Sequence, residues 1–356
     1  MKKKLGKLFG RASFVSEKRL IIGTALLVLL TLVGITLSVR ATVRRISDDE
    51  RSGQEQDSGD AFVLRHPFTG EKLDQELTEI PQLFAVMVEN AADAWPLSGV
   101  DEALLVIEAP VEGNIPRFIT YFSDEMNVEK IGPVRSARPY YVEWNTAMNA
   151  PYAHVGGSPE ALELINQTDG YIDLNQFYQS EYFWRQTTGG RYAPHNVYTS
   201  TELLISTLDE LVFDREEVTL FAYKEDRPVS EEETKSIHID WTSGSLYDVD
   251  WMYQAENNAY ERKQGGVVYS TKNIIVMETD VAVVDDVGRK DLRTIGEGDA
   301  MFIQDGEVFF GTWQKDSQES QLVFLTQSGD EISMNAGKTW IEVVPSLTKV
   351  SILENE

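Results

Sequence analysis

Three arginines and a serine lie close together in a region where acidic residues outnumber basic ones. Arg135 and Arg138 flank Ser136, and Arg117 precedes them. A guanidinium group offers a planar set of donors that matches carboxylate and phosphate groups. Because Arg135 and Arg138 are three residues apart, helical backbone would place them on one face. The spacing indicates a site for an anionic ligand. The alternative is ion pairing within the domain, for which three acids are candidates: Glu89, Glu108 and Glu143.

A second group of candidate residues follows a short apolar segment. His154 precedes Gly156, Gly157 and Ser158, and Pro159 comes next. A glycine turn before a helix presents backbone N–H groups to an anion. Ser158 followed by Pro159 is also typical of a helix N-cap. A serine nucleophile is disfavoured, because the G-x-S-x-G pattern is incomplete and Pro159 lacks the N–H that an oxyanion hole needs.

The third group is His195 and Asn196, directly after Pro194. His195 can act as a general base or a hydrogen-bond donor to a ligand, with Asn196 orienting a polar group. The alternative is a histidine satisfied by backbone groups in a turn. The chain has 4 histidines, without metal-ligand spacing, and no cysteine. We therefore predict neither a metal site nor a cofactor.

Aromatic residues cluster in sequence near these cations. Rings beside arginines suit the recognition of sugars or peptides, but they suit an ordinary core equally well. We interpret them as core. The residues concerned are Tyr140, Tyr141, Trp144, Phe183, Trp184 and Tyr192.

Residues 62–213 alternate between strand-like and helix-like segments. Short apolar or alternating runs bounded by turn residues predict strands, and Ser158 predicts the start of a helix. The strands are expected at residues 83–88, 103–107, 117–122 and 151–155, and the helices at residues 139–148, 158–166 and 202–212. Strands interleaved with helices predict an N-terminal α/β-type domain.

Residues 214–356 have a different character. Short alternating runs dominate, and turns such as Asp305-Gly306 separate them. This pattern predicts a β-rich C-terminal domain, sandwich or barrel-like, so the expected fold class is α+β.

The N-terminal region predicts a membrane anchor. Residues 20–39 carry no charge, seven Lys/Arg precede them and three follow by residue 45. A helix of this length spans about 30 Å, the thickness of the hydrocarbon core. We expect a basic cytoplasmic tail at residues 1–19, one transmembrane anchor at residues 20–39 and a flexible linker at residues 40–61. The remainder would then lie outside the cell membrane. The alternative is a cleaved signal peptide, whose apolar core is usually shorter.

Charge and cysteine usage narrow the function classes. Beyond residue 45 the chain has 22 Lys/Arg against 57 Asp/Glu. Nucleic acid repels such a surface, so a nucleic-acid partner is not expected. The lack of cysteine excludes disulfides, a cysteine nucleophile and a lipid-modified cysteine. A cysteine-free extracytoplasmic protein is more typical of bacteria.

Several unusual strings resemble the YerB-like family of predicted lipoproteins, domain of unknown function 3048, over residues 62–346. In the first half they are Ala85–Asn90, Ile131–Arg138, His154–Pro159, Phe183–Arg185 and Pro194–Ser200. In the second half they are Asn273–Val276, Gly296–Ala300, Gly311–Trp313 and Gly337–Ile341. The resemblance implies a bacterial extracytoplasmic protein with two domains and no established activity. Many relatives look like lipoproteins with a lipidated cysteine; here a transmembrane helix is expected instead.

Together these observations predict a membrane-anchored protein that binds an anionic cell-envelope ligand, such as a peptidoglycan fragment. The candidate ligand-binding residues are Arg117, Arg135, Ser136, Arg138, His154, Gly156, Gly157, Ser158, His195 and Asn196. One alternative is a hydrolase or transferase acting on envelope polymers, with His154 or His195 as the acid–base group. Another is a structural module that binds an envelope protein partner.

Overall fold

The computed structural model describes residues 63–210, 217–230, 234–241, 246–264 and 266–354. The predicted tail, anchor and linker, residues 1–61, lie outside the described residues. No helix in the described ranges is long and apolar enough to cross a membrane.

The described chain is mostly β, with few helices. The strands are β1 (Leu83–Glu89), β2 (Leu105–Pro110), β3 (Pro116–Ser123), β4 (Tyr152–His154), β5 (Asp173–Asn175), β6 (Trp184–Arg185), β7 (Val197–Tyr198), β8 (Tyr223–Lys224), β9 (Lys235–Ile239), β10 (Val249–Gln254), β11 (Ala259–Gln264), β12 (Val267–Thr271), β13 (Asn273–Glu278), β14 (Val281–Val283), β15 (Lys290–Leu292), β16 (Gly296–Gln304), β17 (Glu307–Lys315), β18 (Val323–Thr326), β19 (Met334–Asn335), β20 (Thr339–Val344) and β21 (Val350–Glu354). The α-helices are α1 (Pro139–Thr146), α2 (Pro159–Gln167) and α3 (Thr201–Ser206). Short 3₁₀ helices lie at Ala92–Ala94, Val100–Glu102, Glu112–Asn114, Ser180–Tyr182, Thr207–Asp209 and Leu347–Lys349.

Two sheets contain most of the strands. The larger has ten strands in the order β18-β17-β16-β13-β20-β2-β3-β1-β4-β5, and the smaller has five in the order β12-β11-β10-β9-β21. Strand β20 lies between β13 and β2 and runs parallel to both. Strands from both predicted domains therefore form one continuous sheet. The described strands after residue 214 therefore do not form a separate sandwich or barrel.

The central strands are buried on both faces, which explains this arrangement. Every residue of β1, β2 and β20 is buried. Along β1, Ala85 and Met87 belong to one core, and Val86 and Val88 belong to the other. A strand with two apolar faces needs a layer on each side and a neighbouring strand at each edge. Strand β20 supplies that neighbour to β2.

Helices α1 and α2 cover one face of the large sheet. Tyr140, Tyr141 and Trp144 of α1 are buried there with Ile107 and other sheet residues. The interpretation of these aromatics as core is confirmed. It is wrong for Tyr192, which is exposed.

The five-stranded sheet covers the opposite face. Trp340 of β20 contacts Trp251 of β10 edge to face, with ring centroids 5.3 Å apart, and contacts Phe118 of β3 at the same distance. Between the two sheets lies the fully buried Arg262, whose Nη2 is 2.6 Å from Oε2 of Glu108. The two sheets thus form a second core with a charged group inside it.

Candidate functional site

Strands β1, β2, β4 and β5 run in the same direction, so their C-terminal ends meet at one edge of the large sheet. We call this the carboxyl edge. Glu89, Arg117, His154 and Asn175 lie there at the ends of their strands. In sheets with parallel strands, ligands preferentially bind beyond the carboxyl ends.

The segment Ile131–Arg138 runs along the carboxyl edge in extended form. Its Arg135 N–H donates to the Met87 carbonyl over 2.8 Å, and its Arg135 carbonyl accepts from the Val155 N–H over 3.0 Å. Helix α1 begins only at Pro139. The expectation that helical backbone places Arg135 and Arg138 on one face is therefore wrong, because the segment is hydrogen-bonded between β1 and the chain after β4.

Arg117 and Arg138 converge on a single carboxylate, Glu112. Nε and Nη2 of Arg138 donate to Oε1 of Glu112 over 2.8 and 2.6 Å. Nη2 of Arg117 lies 3.9 Å from the other Glu112 oxygen, and its Nη1 donates to the Ser136 carbonyl over 2.8 Å. Burial opposes ionisation of Glu112, but Arg138 and then Arg117 outweigh it and hold the pKa of this carboxyl below its ordinary value. These two arginines are engaged inside the fold.

Arg135 and His195 share the buried carboxylate of Glu89. Nε of Arg135 lies 3.3 Å from one Glu89 oxygen, and Nδ1 of His195 lies 2.8 Å from the other. Nη1 of Arg135 also donates to the Pro194 carbonyl over 3.1 Å. Both side chains keep part of their surface in solvent, 21% for Arg135 and 27% for His195. Each can therefore still donate to a ligand.

His154 is sealed inside the protein. Its Nδ1 lies 2.7 Å from the Gly156 carbonyl oxygen and its Nε2 lies 2.6 Å from Oδ1 of Asp173. Its ring is fully buried and stacks on Tyr152. Both ring nitrogens therefore have an oxygen partner inside the protein. With both nitrogens engaged and no exposed surface, His154 cannot reach a ligand.

Ser158 is the N-cap of α2. Its Oγ accepts from the Ala161 N–H over 3.3 Å, and its own N–H donates to the Ala137 carbonyl. The Gly156 N–H donates to Oδ1 of Asn175 over 3.1 Å. The backbone donors of Gly156 and Ser158 are thus occupied. Neither predicted histidine contacts Ser158 in the described structure, so no serine–histidine pair is formed.

Gly156 and Gly157 allow neighbouring segments of the chain to pack closely. Gly156 has φ +59°, the left-handed region, and a Cβ there would lie 2.7 Å from the Phe177 ring. A Cβ on Gly157 would lie 3.3 Å from the Cβ of Ala137. Both positions need the smallest residue, because neighbouring segments approach closely.

Three further cations lie beside this group, and sequence reasoning did not select them. Among the described residues, Lys130, Arg185 and Arg191 have no carboxylate partner; each donates to neutral oxygens. Lys130 Nζ donates to Oε1 of Gln186 over 2.6 Å and lies 4.0 Å above the centre of the Tyr198 ring. Burial, and then the charge of Arg191, lower the pKa of Lys130.

Arg185 and Arg191 are held in a similar way. Arg185 donates to Oδ1 of Asn196 and to Oε1 of Gln176, over 3.1 and 3.2 Å. Arg191 donates to two backbone carbonyls in the loop after β1, including that of Pro96 over 2.7 Å. Asn196 is buried and positions Arg185, while its own amide donates to the Gln186 carbonyl.

We call Lys130, Arg135, Arg185, Arg191 and His195 the cationic face. A sequence signal for it exists. Residues 130–142 and 183–198 contain no Asp or Glu, although the chain has 58 of them. A hydrogen bond from the Val134 N–H to the Val197 carbonyl, 2.7 Å long, joins the two segments. No group of three or more His, Cys, Asp or Glu side chains in the described ranges could hold a metal ion.

The fold and this surface define a class of protein in which two stacked sheets present a cationic face at one edge. Two family models match the chain: "Protein of unknown function (DUF3048) N-terminal domain" over residues 68–214, and the corresponding C-terminal domain over residues 237–341. The chain belongs to this family.

Two comparisons with known proteins agree. The chain is 29% identical over 309 residues to a protein named "Putative lipoprotein YerB" from Bacillus subtilis (strain 168), covering 83% of this chain and 91% of the relative. It is also similar to the crystal structure of the YerB protein from Bacillus subtilis, with a TM-score of 0.71 and 28% identity. That match covers 82% of this chain and 100% of the solved chain.

Proposed function

We propose that this protein is a membrane-associated, extracytoplasmic binding protein whose cationic face recognises an anionic ligand of the cell envelope, such as a peptidoglycan fragment. The observation that carries the proposal is that three cations without a carboxylate partner among the described residues, Lys130, Arg185 and Arg191, lie together beside Arg135 and His195. In a chain with 32 Lys/Arg and 58 Asp/Glu, acids are plentiful. Cations kept apart from them present their charge to a ligand.

The location rests on two supports. The sequence predicts an N-terminal anchor with a cytoplasmic tail, and the relative from Bacillus subtilis is named as a lipoprotein. Both support a proposed location of the bulk of the protein at the outer side of the membrane. An envelope ligand is the anion that a protein in this position meets.

Within the proposed site the residues have different tasks. Arg185 and Arg191 supply guanidinium donors for carboxylate or phosphate oxygens. Arg135 and His195 are oriented by Glu89 and add donors on their exposed sides. Of the predicted site residues, Asn196 positions Arg185, whereas Arg117, Ser136, Arg138, His154, Gly156, Gly157 and Ser158 support the edge from within.

A binding experiment with the full-length protein in detergent tests this proposal. The probe is a mixture of soluble fragments released from peptidoglycan by a muramidase. The variant combines Lys130→Ala, Arg185→Ala and Arg191→Ala. We expect its affinity to fall at least about tenfold, equivalent to about 1.4 kcal/mol. Binding by the unmodified protein is expected to weaken as salt is raised, because the cations are partly exposed.

The matched control removes the same charge elsewhere, through Lys263→Ala, Lys290→Ala and Lys349→Ala. We expect this variant to bind as the unmodified protein does. Equal affinities in the two variants, or no binding of the fragments by the unmodified protein, would overturn the proposal.

A further inference from the structure

Three aromatic side chains extend into solvent beside the cationic face. Phe177 is 65% exposed, Tyr178 82% and Tyr192 75%. Between residues 81 and 241, they are the only large hydrophobic side chains that are exposed in the described part of the chain. Burial of a large ring is favourable, so exposed rings on loops that contact the cationic face are candidates for ligand contact.

The local structure holds these rings where they are. The Asn175 side chain accepts from the N–H groups of Gly156 and Phe177, over 3.1 and 3.2 Å, and thereby ties the two loops together. The Phe177 ring lies directly over Gly156. The Tyr192 carbonyl accepts from the His195 N–H over 2.8 Å, which places Tyr192 next to the cationic face.

Polar groups connect the rings to the cations. Gln176 precedes Phe177 and accepts from Arg185, and Arg185 in turn contacts Asn196. The surface therefore has aromatic rings, amide groups and guanidinium groups side by side. Exposed large aliphatic side chains are missing from it over the described residues between 81 and 241.

We infer that the ligand of this face is a glycan, a chain of sugar rings that carries carboxylate groups. The inference rests on the proposed function and adds the chemical class of the ligand. A sugar ring has an apolar C–H face that packs on an aromatic ring, while its hydroxyl and amide groups bind to polar side chains such as Gln176. A protein partner would need a more continuous apolar core, which this surface lacks.

The test compares three probes on the full-length protein in detergent. They are chitohexaose, a neutral sugar chain; the muramidase-released peptidoglycan fragments; and poly-L-glutamate, a polyanion without sugar. The variant combines Phe177→Ala, Tyr178→Ala and Tyr192→Ala. We expect binding of both sugar probes to weaken about tenfold or more, with unchanged binding of poly-L-glutamate.

Two further variants serve as controls. Removing the exposed aliphatic tip of the β14–β15 hairpin, through Val283→Ala, Val284→Ala and Val287→Ala, leaves all binding unchanged. The conservative variant Phe177→Tyr, Tyr178→Phe and Tyr192→Phe keeps the rings and retains sugar binding. Thermal unfolding of the alanine variant should match that of the unmodified protein, since the replaced rings are exposed.

The outcomes separate this inference from the proposed function. If poly-L-glutamate binds through Lys130, Arg185 and Arg191 but the alanine variant keeps its affinity for the sugar probes, the glycan assignment is wrong and the anion site stands. An equal loss of binding to all three probes also overturns the assignment, because it indicates a general contact surface. Absence of binding to every probe overturns both.

Discussion

At the scale of single residues, Glu112 decides what two arginines can do. Its carboxylate accepts from Arg138 and lies near Arg117, so both guanidinium groups are held inside the fold around one counterion. Glu89 has a different effect on Arg135 and His195, because these two side chains remain partly exposed. Arg117 and Arg138 therefore have a structural role. Arg135 is also paired with a glutamate, but it keeps an exposed surface that can face a ligand.

We predict that Glu112→Gln lowers the free energy of unfolding by about 1–3 kcal/mol, because two buried cations lose their counterion. The pKa of Glu112 is below its ordinary value. Its contribution to stability is therefore present above the unfolded-state pKa and is lost as the pH falls through the lower folded-state pKa. Urea unfolding of both proteins at neutral and acidic pH measures this, and the difference between them should shrink in acid. The control is Glu163→Gln, on the exposed face of α2, with little expected change. Equal stability of Glu112→Gln and the unmodified protein at neutral pH would contradict the assignment of Glu112.

At the scale of elements, the stability of helix α2 depends on its N-cap residue, Ser158. Ser158 satisfies the Ala161 N–H, and Pro159 begins the helix with the backbone angle it needs. Helix α3 has the same design, with Ser200 accepting from the Leu203 N–H over 3.2 Å. The position of Ser158 at the carboxyl edge is thus explained by capping.

We predict that Ser158→Ala lowers the free energy of unfolding by about 1 kcal/mol, as expected for the loss of an N-cap. Ser158→Asp should retain most of the stability, because aspartate also caps helices. Ser200→Ala gives a comparison of similar size. Denaturant titration measures all three. Affinity for the peptidoglycan fragments should stay unchanged in Ser158→Ala. A loss of binding without a loss of stability would show that Ser158 acts on the ligand and would contradict the capping role.

At the scale of the whole molecule, a buried charged cluster connects the two sheets. Arg262 of the small sheet contacts Glu108 of β2, and Glu342 of β20 lies beside both. Trp251 and Trp340 donate to the two carboxyl groups from their indole N–H groups. Burial raises the pKa of both glutamates, and it raises that of Glu342 well above its ordinary value, with the charge of Glu108 adding to the effect. We therefore expect Glu342 to be the glutamate that holds a proton, so that the carboxylate of Glu108 balances the single charge of Arg262.

We predict opposite consequences for the two glutamates. Glu342→Gln imitates the protonated acid and should change stability by less than about 1 kcal/mol, whereas Glu108→Gln leaves Arg262 without a counterion and should cost about 3 kcal/mol or more. Because the folded-state pKa of Glu342 is raised, its contribution is present at low pH and is lost as the pH rises through that pKa. Thermal unfolding from mildly acidic to alkaline pH should show this loss in the unmodified protein and a smaller loss in Glu342→Gln. Equal destabilisation by both substitutions would show that the proton is not held by Glu342.

The structure also shows which elements of this chain are predicted correctly by local sequence patterns. The expected strand at residues 83–88 is β1, and the helix expected at residues 158–166 is α2, each within one or two residues. Apolar alternation, turn residues and capping residues act over a few positions, so they can be read along the chain. The small sheet was harder to predict, because β11 contains charged residues, among them the buried Arg262.

The amino-acid sequence by itself determined the family, the β-rich character of residues 214–356, the boundaries of many elements and the region of the chain that forms the carboxyl edge. Tertiary structure alone decided the order of strands, with β20 beside β2, and the pairing of charges. Glu89 meets His195 across 106 positions, and Glu108 meets Arg262 across 154. No local pattern encodes such contacts, because they arise only when distant strands become neighbours. The absence of a partner is likewise decided by tertiary structure. Of the eight cations between residues 61 and 213, three remain without a carboxylate partner in the described structure: Lys130, Arg185 and Arg191. They are not Arg117, Arg135 and Arg138, whose spacing in the sequence predicted the anion site.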